Sequence, residues 1–128
     1  MRRILLDTHA LIWFLEADER LSDVARKVIE DNENEIFISI ASFWEIAIKI
    51  SLAKLRLGKS VSDLFQECGH QDIKVLPITQ NEIERVELLP FHHRDPFDRI
   101  IIATADAVGL EVITADTQFD AYPVPCLW

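Results

Sequence analysis

Glycine is scarce in this chain, with 3 glycines and 5 prolines in 128 residues, and there is no Ser/Gly-rich or single-residue tract. These shortages exclude an evident linker or low-complexity segment, and no internal repeat of solenoid period occurs. A single domain covering residues 1–128, 49% hydrophobic, is therefore expected, long enough to hide about two-thirds of its unfolded surface in one core. No apolar run approaches membrane-spanning length. The opening MRRILLDTHALIWFLEAD imitates a secretory signal, but Asp7 and His9 interrupt its apolar stretch. Cys68 and Cys126 are far apart and lack the close pairing of zinc or redox motifs. Two packing thiols in a reducing, cytoplasmic compartment are expected, with no membrane partner.

Positive charge is the other shortage. A formal net charge of -9 argues against a protein that coats nucleic acid through its overall potential. It does not argue against a nuclease, because acids gathered round a metal raise the negative count while substrate phosphates need only a local basic edge. ISLAKLRLGK offers such an edge in Lys54, Arg56 and Lys59, although the run reads first as a solvated helix end. An acidic surface also suits a basic protein partner.

Residues 3–6 read as a buried strand ending at Asp7, with Thr8 opening a helix through HALIWFLEA. An amphipathic helix over 22–31, a strand over 35–39 and a largely buried helix through ASFWEIAIKISLAKL follow. A short helix over 61–68, a strand over 74–78 and a helix QNEIERVELL capped by Thr79 come next. Asp95 before Pro96 marks the start of a helix that Gly109 closes. The strand at 111–114 leads to Asp116, and the tail over 122–127 adds one more short strand. Strands alternating with helices of this length predict an α/β, three-layer fold with a central, mostly parallel sheet flanked by helices. Such sheets bind ligands at the carboxyl ends of their strands.

Asp7, Glu45, Asp98 and Asp116 all fall where a strand ends or a helix begins. Each has a structural explanation of its own. Asp7 can cap a helix, and Asp98 can interact with the helix dipole three residues after Asp95. Glu45 can join a capping box with Ser42 or an ion pair with Lys49, and Asp116 can form an Asx turn. Taken jointly these explanations are weaker, because Glu45 lies among Phe43, Trp44, Ile46 and Ala47, and Asp7 ends an apolar strand. A buried carboxylate with no cation takes up a proton, whereas a hard divalent ion removes that penalty. Oxygen ligands select Mg2+, with Mn2+ as the alternative, over zinc. His92 and His93 receive no role from the sequence, and the tryptophans and phenylalanines fit core spacing better than a base-stacking platform.

LLDTHALIW, ISIASFWEIAIK, HRDPFDRIIIATA and VITAD, in this order and at these separations, resemble the PIN-domain ribonucleases, especially the VapC-type toxins of prokaryotic toxin–antitoxin pairs. The similarity runs over nearly the whole chain. It implies acidic metal positions at Asp7, Glu45, Asp98 and Asp116, a supporting hydroxyl at Thr114, and a signature residue at Asp95 that reads first as a helix cap. It also implies Mg2+- or Mn2+-dependent cleavage of RNA, a homodimer and a small inhibitory antitoxin. One departure is Ala53-Lys54-Leu55, where related chains often carry Gly-Lys-Leu. Two other functions compete: a non-catalytic PIN-like binding or scaffold module, and a phosphoryl acceptor. The four intact acids weigh against the first, and the absence of Asp-x-Asp after the first strand weighs against the phosphatase form of the second.

Overall fold

The computed structural model describes residues 1–128. β1 (Arg3–Leu6) leads into α1 (Thr8–Leu15) and α2 (Asp23–Glu30), and β2 (Glu35–Ser39) into α3 (Ile40–Ser51) and α4 (Val61–His70). β3 (Ile73–Leu76), α5 (Gln80–Leu88), α6 (Pro96–Val108) and β4 (Glu111–Ile113) follow, then a 3-10 helix (Thr117–Ala121) and β5 (Cys126–Leu127). The sheet order is β3-β2-β1-β4-β5, and every pairing is parallel.

Both faces of the sheet are covered, which is why its strands read as continuous apolar runs. Ile4, Leu6, Ile36, Ile38, Ile73 and Ile113 turn to one side, against Leu11 of α1, Ile29 of α2, Ile46 of α3 and Leu64 of α4. Leu5, Phe37 and Val112 turn to the other, against Ile101, Ile102 and Ala105 of α6 and Phe119 beyond β4. Fully burying side chains of this size stabilises by roughly 1.5–3 kcal/mol each. Cys68 and Cys126 are free, and burial pushes both thiols up to about 11, as inert packing residues require. No helix is long and apolar enough to cross a membrane.

β1 has β2 on one side and β4 on the other, so successive crossovers leave β1 in opposite directions. That reversal opens a crevice beyond the carboxyl ends of β1 and β4. Asp7 follows β1 directly, and Asp116 lies just past β4.

Several boundaries differ from the sequence expectation for physical reasons. Asp7, not Thr8, is the N-cap of α1, its side chain accepting from the Ala10 N–H. α3 begins at Ile40 with Ser39 as its cap, so Ser42 lies inside the helix, where its hydroxyl accepts from Thr8 (2.9 Å), and no capping box with Glu45 forms. β3 ends at Leu76, before Pro77, which has no N–H to give a ladder. Thr79 holds the N-cap position of α5, but its hydroxyl donates to Glu82 and accepts no backbone N–H. Trp44 is not a core residue: it is 61% exposed and lies edge-on to Phe97 at 5.3 Å.

The Ala53-Lys54-Leu55 departure has a measurable cost. Ala53 follows α3 with φ 56°, in the left-handed region where a Cβ costs about 1–2 kcal/mol. Ala53→Gly is expected to stabilise the fold, by roughly 0.5–1 kcal/mol after the larger chain entropy of glycine is subtracted. A urea midpoint that moves up at unchanged slope is the predicted result.

Candidate active site

Four elements carry the predicted acids: Asp98 feels the charges of Asp7 and Glu45, and Asp7 that of Asp116, but Asp7 and Glu45 stand outside the group whose donor atoms lie within 4.8 Å of one another. Asp7, only 5% exposed, accepts from Ala10 N through Oδ1 (2.8 Å) and from the Thr114 hydroxyl through Oδ2 (2.6 Å). Thr114 Oγ1 in turn accepts from Asp116 N (3.0 Å), so one hydroxyl couples the ends of β1 and β4. Asp116 Oδ1 caps the 3-10 helix by accepting from Gln118 N (2.9 Å). Asp95 caps α6, its Oδ1 accepting from the N–H groups of Phe97 (2.8 Å) and Asp98 (3.1 Å), and so sets the first turn that carries Asp98.

Glu45 sits on α3 at 4% exposure. Its Oε2 accepts from Lys49 Nζ at 2.7 Å, so the i,i+4 ion pair exists although the carboxylate is buried. Its Oε1 is buried with no hydrogen-bond partner at all. An orphaned carboxylate oxygen in an acidic crevice is the feature that a bound cation explains. The set of donors, carboxylates supported by hydroxyl and backbone groups, fits a hard divalent ion.

Electrostatics carry the same message. Burial, the Asp95 charge and the nearby Asp7 and Glu45 carboxylates push Asp98 up to about 7, against the pull of His93. Burial raises Asp7 too, with the Asp116 charge adding to it, while bonds from Thr114 and Ala10 oppose the shift. Acids that destabilise one another's charge at neutral pH are poised to accept a cation.

His93 is the residue that sequence reasoning missed. It is buried, and its Nε2 lies 2.8 Å from Asp116 Oδ2 and 3.1 Å from Asp98 Oδ2. The potential donor atoms of His93, Asp98 and Asp116 all fall within 4.8 Å of one another. Two adjacent histidines in a polar loop have no spacing that signals such a position. Arg99 was missed as well, although it lies three residues before buried Ile102 on the apolar side of α6. Arg99 is 4% exposed, and its guanidinium donates to the carbonyls of Val86, Leu89, Pro90 and His93, holding the loop that presents His93. Lysine has one compact ammonium in place of this fork. Arg99→Lys is therefore expected to cost about 2–4 kcal/mol in chemical denaturation, from loop carbonyls left unpaired around a buried side chain.

The basic run divides. Arg56 lines a groove of about 510 Å3 together with Thr8, His9, Trp13 and Lys49, beside the acidic crevice. Lys54 is exposed, and the Lys59 ammonium is engaged by Glu67 (2.9 Å) and Glu16 (3.4 Å).

A PIN-domain family model matches residues 4–125. Ribonuclease VapC22 of Mycobacterium tuberculosis is 28% identical over 126 residues, covering 98% of this chain and 95% of that protein. Among solved structures, VapBC2 of Rickettsia felis, bound to a fragment of its promoter DNA, aligns with a TM-score of 0.71 at 14% identity, covering 98% of this chain and 97% of that one. VapC20 of M. tuberculosis, a toxin that cleaves the sarcin–ricin loop, aligns at 0.70 and 14% identity, covering 94% and 95%.

Proposed function

The chain belongs to the PIN-domain family, and on that premise we propose that it is a Mg2+-dependent endoribonuclease serving as the toxin of a toxin–antitoxin pair. The observation that carries this reading is the convergence of Asp7, Glu45, Asp98 and Asp116 on one crevice in which Glu45 Oε1 is buried without a partner. The similarity to a ribonuclease along 98% of the chain supports RNA as the substrate.

Asp7, Glu45, Asp98 and Asp116 would hold one or two ions, directly or through water. Bound there, the metal would supply Lewis-acid activation of water and neutralise charge on the scissile phosphate. Thr114 fixes the Asp7 oxygen that accepts its proton and sets the turn leading to Asp116. Asp95 contributes by capping the helix that carries Asp98. Arg56 and Lys54 offer cationic contacts to flanking phosphates, whereas Lys59, already paired with Glu67, braces the loop. No side-chain nucleophile is needed, and water attacks in line to leave a 5′-phosphate and a 3′-hydroxyl.

The partners in this reading are RNA, a small cognate antitoxin and a second copy of the chain, all in the cytoplasm. A net charge of -9 complements a basic inhibitory segment. End-group analysis of cleaved RNA tests the chemistry. Cutting that stops with chelator and yields 5′-phosphates is expected; chelator-resistant cutting to 2′,3′-cyclic phosphates would refute the proposal.

A further inference from the structure

We propose that His93 is a positioning residue of the metal crevice, an N–H donor that pins Asp116 beside Asp98 and is not itself a ligand of the ion. The inference rests on the metal-dependent reading above and deepens it.

Every polar atom of His93 is engaged. Its backbone N–H donates to the Tyr122 hydroxyl (2.9 Å), and its carbonyl accepts from Arg99 Nη1 (3.3 Å). Its Nδ1 accepts from the backbone N–H of Asp95 at 3.2 Å. The Tyr122 hydroxyl in turn donates to the Pro90 carbonyl (2.7 Å), and the Phe119 ring packs edge-on against the imidazole at 5.8 Å. The ring therefore has neither free rotation nor a free choice of tautomer.

The tautomer decides the role. A backbone N–H can only donate, so Nδ1 must present its lone pair to Asp95, and the neutral ring carries its hydrogen on Nε2. A nitrogen that bears hydrogen has no lone pair for a metal. What Nε2 can do is donate, and its hydrogen bond runs to Asp116 Oδ2 at 2.8 Å, while Asp98 Oδ2 lies beside it at 3.1 Å. The two carboxylates come from separate elements, the turn after β4 and the first turn of α6. One N–H thus holds the first carboxylate and lies against the second, two acids that repel each other when no cation is present. Donors of this kind orient ligating carboxylates, and their loss typically costs 10–100-fold in metal affinity.

Calorimetric titration with Mn2+ and pulsed electron paramagnetic resonance of the Mn2+-loaded protein test this directly. His93→Ala is expected to weaken Mn2+ binding at least about tenfold. His93→Gln, whose amide N–H2 can reach the same oxygens, is expected to recover most of that loss. The wild-type spectrum should show no nitrogen coupling from a directly bound imidazole, and this readout needs no variant to fold. Unchanged affinity in a folded His93→Ala, or a directly coupled imidazole nitrogen in the wild type, would overturn the assignment while leaving metal-dependent RNA cleavage standing. Failure of the wild type to bind Mn2+ would overturn both readings.

Discussion

Asp98→Asn is expected to lower RNA cleavage by more than about 100-fold, beyond the loss typical of outer-shell partners, and to leave the metal-free protein at least as stable as wild type at pH 8. The two effects have one cause. Asp98 is pushed up to about 7 by burial and by Asp95, Asp7 and Glu45, so at pH 8 its negative charge is held against its surroundings. Asparagine removes that charge while keeping the side chain's size and an oxygen facing His93. It also removes the anionic oxygen that a divalent ion requires. Each kcal/mol of relief should raise the melting temperature by roughly 3–6 °C for a chain of this size. Full cleavage by the purified variant would contradict the assignment of Asp98, and a large drop in metal-free stability would contradict the electrostatic account.

Adding Mg2+ or Mn2+ should raise the melting temperature, and the rise should grow with pH. The folded Asp98 titrates near 7, whereas the unfolded carboxyl titrates near 3.8. Between those values the folded state binds more protons, so the slope of stability with pH is negative. The contribution of Asp98 is thus most favourable below the unfolded value, falls through the window between the two, and is fully lost above 7. The difference between wild type and Asp98→Asn, measured across this window without metal, isolates the effect from the other acids. Protons and cations compete for the same oxygens, so the metal should stabilise little near pH 5 and most near pH 8. At 100 times its dissociation constant a site-specific ion adds about 2.7 kcal/mol, and chelator should remove it. A melting temperature insensitive to both ions at pH 8 would contradict the account.

Much of the architecture was legible because local and long-range signals agree. Asp95-Pro96 and Gly109 bound α6 as cap chemistry requires, with Gly109 at φ 78°. The apolar strands reflect a sheet covered on both faces. Trp44 was misread because apolarity does not reveal which side of α3 lacks a covering layer. For the acids, the structural explanations hold: Asp7 and Asp116 cap their helices and Glu45 pairs with Lys49, while Asp7 and Glu45 stay near enough to act on the charge of Asp98. A cap is a rigid way to aim a carboxylate, since one oxygen is held by the backbone and the residue sits at the mouth of a strand. His93 and Arg99 stayed hidden because their roles depend on carbonyls and carboxylates distant along the chain, which no local pattern encodes.

The central claim is that at least one cation binds among Asp7, Glu45, Asp98 and Asp116, and anomalous diffraction from crystals soaked in Mn2+ tests it most directly. The account predicts a manganese peak within coordination distance of these carboxylate oxygens, with Glu45 Oε1 facing the ion. Strong manganese peaks elsewhere with none in the crevice at pH 8 would contradict it.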